Sequence, residues 1–320
     1  MTDCNVEEVR ARIGGRRVLA SVSGGKDSTA MCLHLQELGV PYEPVFMDTG
    51  WENAETYRYL RDELPQYIGP IRWLRSTVPL SAELEAIAQE FEARMGHYSA
   101  MVRWILKKGM FSSGRRRFCT QELKVRPMAA YIESLDVDAV NTVGVRAEES
   151  SARAALPEWE ELGSASMIDA DVWRPLIRWT VDDVIAIHHR HSVTPNRNYL
   201  GAARRVGCWP CIRSVKAEIR NIADTDPNRI AIIRDLEAVI GKLARDRAAA
   251  KGATLENGPA WFQAPVSSDD DTFPCWPIDK VVEWSRTIRG GRQFELFAAR
   301  DHELGCMRWG LCEMATREQG

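Results

Sequence analysis

The stretch "SVSGGKDSTAMCLHL", residues 21–35, decides how this chain is read. An apolar run, "RRVLASV" (16–22), gives way to two glycines, a lysine, an aspartate and two serines, and then to the helical pattern "STAMCLHLQELG" (28–39). The run reads as a short buried strand and the pattern as a helix closed by Gly39. A glycine-rich turn between strand and helix aims backbone N–H groups and the helix N-terminus at one point, which suits an anion and above all a phosphate. Gly24 and Gly25 allow close backbone approach, Lys26 adds a cation, and Ser23 and Ser28 add hydroxyl donors. The loop is not the Walker form, which is longer and ends in Gly-Lys-Ser/Thr. Asp27 would repel a bare phosphate; it fits as a Mg²⁺ ligand or as a cap that orients the loop. The plainer alternative is a tight turn with an aspartate cap.

Outward from this loop, strand and helix patterns alternate. "YEPVFMDTG" (42–50) reads as a strand ending in a polar turn, and "NAETYRYLRDEL" (53–64) as a helix stopped by Pro65. "IRWLRS" (71–76) is a third strand, followed by helix from Leu80 to Lys108 and by an arginine-rich loop. "QELKVRPMAAYIESL" (121–135) is helical with Pro127 at a start or a kink, and "AVNTVGV" (139–145) is a core strand. "DVWRPLIRW" (171–179) opens a further segment, and "TVDDVIAIHHRH" (180–191) is a helix with Thr180 as N-cap to Asp183. This alternation predicts an α/β fold, an open parallel sheet flanked by helices. After Gly207 come a Cys-x-x-Cys turn, long helices to about Lys251, the acidic linker "SSDDDT" (267–272) and a tail rich in Trp, Arg and Cys. The expected division is a nucleotide-binding α/β domain over 1–205 and a mainly helical, cysteine-containing region over 206–320, packed on the first.

No apolar run approaches the ~20 residues of a membrane span, so no membrane partner is expected. "MTDCNVEEVRARIGG" (1–15) lacks the apolar core of a secretory signal, and a cytoplasmic location is the default. A net charge of −3 argues against a protein that coats nucleic acid. Basic clusters still occur at 114–118, 202–205 and 286–293, as solvated surface or as neighbours of a phosphate site. His188, His189 and His191 share one helix with no completing ligand pattern, and read as a partly exposed face.

At this point the sequence resembles a known family. "SVSGGKDS" is similar to the PP-loop of the Rossmann-like adenine nucleotide alpha-hydrolases, and the wider pattern resembles their phosphoadenosine phosphosulfate (PAPS) reductase branch. "PVFMDTGWENAETYRYL" (44–60), "RRRFCTQELKVRP" (115–127), "VGVRAEES" (143–150), "WRPLIRWTVDDV" (173–184) and "TPNRNYLGAARRVGCWPC" (194–211) carry the likeness through most of the chain. It implies a nucleotide site made of Ser23, Gly24, Gly25, Lys26, Asp27 and Ser28, bordered by Asp48, Thr49, Gly144 and Arg146. Lys26, Asp27 and Arg146 are then the expected catalytic groups. Asp48 would serve metal or ribose. Arg146 and Arg153 would contact phosphate or stabilise charge developing at phosphorus; their plainer alternative is a salt bridge to Glu148 or Glu149. Lys124 stands between a role in the basic segment and simple solvation.

Eight cysteines without an export signal point to metal or redox chemistry rather than to a disulfide framework. Cys208 and Cys211 flank "WP" on a turn, a spacing open to a redox dithiol, zinc or iron–sulfur. In the family, iron–sulfur members pair a first cysteine segment like 115–127 with a later Cys-x-x-Cys. This implies a [4Fe-4S] cluster on Cys119, Cys208 and Cys211, with Cys312 as fourth ligand and Cys306 as its alternative; a zinc site is the competitor. Two departures matter. Residue 120 is threonine where adenylyl-sulfate reductases carry a second adjacent cysteine, and "GLCE" (310–313) is not the Glu-Cys-Gly-x-His ending of the reductases. Cys32 reads as core packing, and Cys4 and Cys275 have no partner spacing.

The expected function is an enzyme acting at the phosphate or sulfate group of ATP or a PAPS-like nucleotide in sulfur metabolism or sulfur transfer. ATP pyrophosphatase chemistry with Mg²⁺ is preferred, as in sulfur-transfer enzymes of DNA phosphorothioation. Sulfonucleotide reduction to sulfite and a non-catalytic nucleotide or redox sensor are the alternatives. The partners implied are a thioredoxin-like reductant or a sulfur-donor protein, and a nucleic-acid acceptor.

Overall fold

A computed structural model of the chain describes residues 6–114, 116–161, 167–200, 203, 206–255, 258–263, 275–287 and 309. Cys4, Cys306, Cys312 and the acidic linker lie outside them. The main sheet contains β1 (Arg17–Val22), β2 (Glu43–Asp48), β3 (Arg72–Arg75), β4 (Ala139–Val143), β5 (Trp159–Glu160) and β6 (Asp171–Trp173), in the order β3-β2-β1-β4-β6-β5. All pairs are parallel except β5 with β6. The expected open sheet is therefore present, with one short antiparallel edge strand that no periodicity announced. Stacking of Trp159 on Trp173, 4.8 Å between centroids, holds that edge.

Helices of eight or more residues are numbered α1 (Val6–Ile13), α2 (Lys26–Glu37), α3 (Ala82–Met95), α4 (Ala100–Lys108), α5 (Arg126–Glu133), α6 (Val181–Arg190), α7 (Lys216–Thr225), α8 (Pro227–Ala249) and α9 (Ile278–Arg286). β1 is apolar almost throughout because both faces are covered. Val18, Ala20 and Val22 join the core under α2, with Ala30, Met31 and Leu33. Leu19, Val45 and Ala139 turn the other way, onto Met128 and Ile132 of α5. A third core lies beyond the sheet, where Phe91, Ile105 and Leu106 from α3 and α4 pack with Ile219, Ile233, Leu236 and Ile278 of the C-terminal helices. The C-terminal helices thus share a core with helices from before residue 205.

Local signals explain most boundaries. Thr180 and Asp183 form the expected capping box, with Asp183 N–H donating to Thr180 Oγ1 at 3.2 Å and Thr180 N–H to Asp183 Oδ2 at 2.8 Å. The helix expected from Leu80 to Lys108 is two helices, because Gly96 ends α3 in the left-handed conformation and Ser99 caps α4. Pro65 does not stop the helix before it; the chain passes through a π-turn at Tyr59–Glu63 and Pro65 opens one further turn. The same device precedes Pro127, whose missing N–H is absorbed by the π-turn Gln121–Val125. No helix among the described residues is long and apolar enough to cross a membrane.

The strand order reverses between β1 and its two neighbours, β2 and β4. Crevices in open parallel sheets form at the carboxyl ends of strands at such a reversal. The turn at 23–28 leaves β1 at that end.

Candidate functional site

The turn is shaped by its own side chains. Ser28 Oγ accepts from Ser23 N–H at 3.1 Å and donates to the Gly25 carbonyl at 3.0 Å. Gly24 has φ +72°, a conformation that costs other residues energy, and a Cβ there would meet Thr56 and Leu60 at 3.2 Å. Gly144, just past β4, approaches so closely that a Cβ would lie 2.8 Å from the Asp27 carbonyl oxygen. α2 begins at Lys26 after Gly25, with no side-chain cap. Lys26 N–H donates to the Tyr199 hydroxyl at 3.2 Å, while the Asp27 and Ser28 N–H groups have no hydrogen-bond partner among the described residues. Unsatisfied donors and the helix dipole thus converge on one spot.

Asp27 organises the charges around that spot. Its carboxylate receives Lys26 Nζ on Oδ2 and Arg146 Nε on Oδ1, each at 2.6 Å. Burial works to raise its pKa, but the two cations outweigh burial and hold the carboxyl below the usual aspartate range. Arg146 is buried and also pairs with Glu148. Arg153 pairs with Glu149 at the surface, the plainer of its two expected roles. Asp48 and Thr49 end β2 nearby, both buried, with their side chains engaged inside the fold. Asp48 takes Arg75 Nε at 2.9 Å, Tyr57 Oη at 2.8 Å and Gly50 N–H at 2.9 Å, and Thr49 Oγ1 donates to Glu52 at 2.7 Å.

A second cluster lies beside the first. Cys119, Cys208, Cys211 and the Glu52 carboxylate all act electrostatically on the Lys124 ammonium. Enclosure by protein works to lower the Lys124 pKa, and its electrostatic coupling to these acidic neighbours raises it above the usual lysine range. Lys124 nevertheless presents surface to solvent, as a side chain on the wall of a cleft does. Burial, opposed by Lys124, pushes the Cys208 thiol up to about 12. Cys119 Sγ accepts from Ser112 Oγ at 3.1 Å. No disulfide joins Cys32, Cys119, Cys208 or Cys211, and no set of three ligating side chains among the described residues has closed around one point. Cys32 is fully buried in the main core, as expected.

Glu52 links the two clusters. It is 3% exposed, accepts from Thr49 and Tyr57 and pairs by backbone bridge with Cys208, while Trp209 N–H donates to the Trp51 carbonyl at 2.8 Å. Arg229 of α8 lies 4.4 Å over the Trp51 ring, and its Nη1 is buried with no hydrogen-bond partner among the described residues. Burial lowers the Arg229 pKa against the pull of Asp226, Tyr57, Glu52 and Cys208.

Several of these residues escaped sequence reasoning. Glu52 had a signal, an acid beside a tryptophan in the turn after β2. Tyr199 and Asn196 lay inside "TPNRNYLGAARRVGCWPC" without being singled out; Asn196 Nδ2 donates to the Gly24 carbonyl at 3.3 Å. Arg229 had none. His188 corrects the expected exposed face: it is 1% exposed, with Nδ1 donating to the Val184 carbonyl at 2.7 Å and burial lowering its pKa to about 4. Trp309 covers it at 5.1 Å between ring centroids and lies 6.2 Å from the Tyr199 ring. The tail at position 309 therefore lies beside the 23–28 turn. An open cavity of about 550 Å³ at the opposite end of the sheet, lined by Arg10, Arg16, Arg17, Tyr42 and Glu43, takes no part in either cluster.

Residues 17–214 match the profile of the phosphoadenosine phosphosulfate reductase domain. An uncharacterized 37.8 kDa protein of Escherichia phage 186 is 34% identical over 333 aligned positions, covering 92% of this chain and 96% of the phage protein. Adenosine 5'-phosphosulfate reductase of Deinococcus radiodurans is 31% identical over 98 residues, 31% of this chain and 36% of that enzyme. The crystal structure of a phosphate complex of PAPS reductase from Candida auris aligns with TM-score 0.45 and 18% identity, over 64% of this chain and 87% of that one. The chain belongs to the phosphoadenosine phosphosulfate reductase domain family.

Proposed function

We propose that the chain is an enzyme that grips the phosphate tail of ATP in the 23–28 turn and reacts at its α-phosphorus, as an ATP pyrophosphatase. The observation that carries this reading is the pair of N–H groups at Asp27 and Ser28 that find no partner among the described residues, set beside Lys26 and Arg146. An anion arriving there would draw both cations from Asp27 and satisfy the free donors. Asp27, once released, would be the carboxylate that holds a Mg²⁺ ion, which would supply positive charge to the phosphates. An acceptor oxygen attacks the α-phosphorus, the bond to the bridging oxygen breaks, and pyrophosphate leaves with the electron pair. Sulfur carried by a donor protein would then attack the activated position of the adenylated acceptor, and AMP would leave with the electron pair of the broken bond to its oxygen; a nucleic acid is the acceptor this reading favours. Gly144 and Ser23 border the same spot.

On this reading the cysteine cluster is where an anionic metal centre would bind. Three thiols, the Lys124 ammonium and the orphaned Arg229 Nη1 supply ligands and counter-charge for an iron–sulfur cluster, with Cys312 as fourth ligand and Cys306 as its alternative. When bound, such a cluster supplies redox capacity and fixed negative charge. Lys124 and Arg229 balance that charge, and Glu52 positions the Cys208 turn. Zinc on the same thiols is the competing occupant, separated by colour and electron paramagnetic resonance of anaerobic protein.

A second reading, sulfonucleotide reduction with a thioredoxin-like reductant, is favoured by the local match to the Deinococcus enzyme. It requires a nucleophilic thiolate, and the ending "GLCE" (310–313) is not the Glu-Cys-Gly-x-His motif expected to carry one. Incubation with ATP and Mg²⁺ is expected to yield AMP and pyrophosphate. Sulfite from PAPS or adenylyl sulfate, with no pyrophosphate from ATP, would replace the first reading by the second; binding without either product would make the chain a sensor.

A further inference from the structure

We propose that Tyr199 is a positioning residue that couples phosphate occupancy of the 23–28 turn to the cysteine turn at 208–211. Its hydroxyl accepts from the Lys26 N–H at 3.2 Å and lies against the Val206 backbone across Gly25. Lys26 N–H belongs to the anion cradle, and Val206 stands two residues before Cys208. The fit is tight, since a Cβ on Gly25 would lie 3.1 Å from this hydroxyl and 3.8 Å from the Val206 carbonyl oxygen. Asn196, three residues earlier, anchors the same segment to the Gly24 carbonyl. Tyr199 is buried, and its ring lies 5.8 Å from Lys26 Nζ.

The phenol therefore occupies a place in the cradle that a phosphate oxygen would take. A charged oxygen accepts a stronger hydrogen bond from Lys26 N–H than a neutral phenol does. The same oxygen meets Lys26 and packs against the Val206 backbone, so displacing it from Lys26 also withdraws it from Val206. Cys208 is held from its other side by the Glu52 bridge and by Trp209 N–H on the Trp51 carbonyl. Loss of the Val206 contact leaves those contacts to set the cysteine turn. Phosphate binding and cysteine geometry become one equilibrium, and by linkage each biases the other.

This inference rests on the nucleotide reading above, and hydrogen–deuterium exchange with calorimetry separates the two. On adding inorganic pyrophosphate or ATP with Mg²⁺, peptides covering 22–30 should exchange more slowly and peptides covering 206–212 faster. Tyr199→Phe should exchange quickly at 206–212 from the start, show no further change there with ligand, and bind pyrophosphate about threefold more tightly through loss of a competing neutral hydrogen bond. Binding that slows 22–30 while leaving 206–212 unchanged or slower in the wild-type protein overturns the coupling and spares the nucleotide reading. Absence of binding heat and of any change at 22–30 removes both. The wild-type arm decides the matter even if the variant folds poorly.

Discussion

The 23–28 turn takes its donors and its shape from consecutive residues, whereas the cysteine pocket draws Glu52, Cys119, Lys124, Cys208, Cys211 and Arg229 from distant parts of the chain. The turn is rigid through bonds between near neighbours, such as Ser23 with Ser28 and Gly25 with Ser28 and Thr29. In the pocket, local bonds order only its separate segments, as between Cys211 and Ser214 or Ser112 and Cys119. It depends on β2, on the π-turn before α5 and on α8 arriving together, and its thiols have not closed on one point. A site of the first kind exists as soon as strand and helix form; a site of the second kind is finished by packing, and by whatever it binds.

That contrast can be broken experimentally. The largest effect is expected at the pocket: Cys208→Ser should remove most of the bound iron or zinc by elemental analysis, while Cys32→Ser keeps it. Metal retained in Cys208→Ser would mean that the pocket is not the metal site. At the turn, Lys26→Ala should weaken ATP about 10- to 100-fold by calorimetry, the worth of a charged hydrogen bond in a confined site. Equal affinity would remove the turn from nucleotide binding.

Smaller effects sharpen the comparison. Gly144→Ala places a Cβ against backbone that cannot swing aside, and about 1–3 kcal/mol of stability should be lost in urea unfolding. Unchanged stability would show that the turn yields more readily than its bonds suggest. The least effect is acid-dependent. The folded pKa of Asp27 is depressed, so its ion pairs contribute stability that is complete above the unfolded value of about 3.8 and is lost as pH falls through the folded value. Asp27→Asn should therefore lose less stability than the wild type between pH 5 and pH 3. Identical acid slopes would show that the pairing contributes nothing.

Much of the turn was legible because its signals are short-range: glycines at the approach points, a cation, hydroxyls, and a strand and helix on either side. The presence of β1, β2, β3 and β4 along the chain was legible for the same reason. The partners of Asp27 were not. Arg146 stands 119 residues away, and its role depends on β4 lying next to β1. His188 looked like part of an exposed helix face because periodicity says nothing about a tail residue such as Trp309 folding back over it. β5 is two residues long, too short for any alternation to mark it.

By itself the sequence determined the alternation of strands and helices, the anion-seeking turn after β1, and the Thr180–Asp183 box that starts α6. Each is settled by side chains within a few positions of one another, where backbone geometry leaves few choices. Only the tertiary structure decided that Asp27 clamps two cations, that the Tyr199 hydroxyl meets the Lys26 N–H, and that Cys119 lies within electrostatic reach of Cys208. Those contacts follow from sheet order and helix packing, which bring together residues that no local pattern relates.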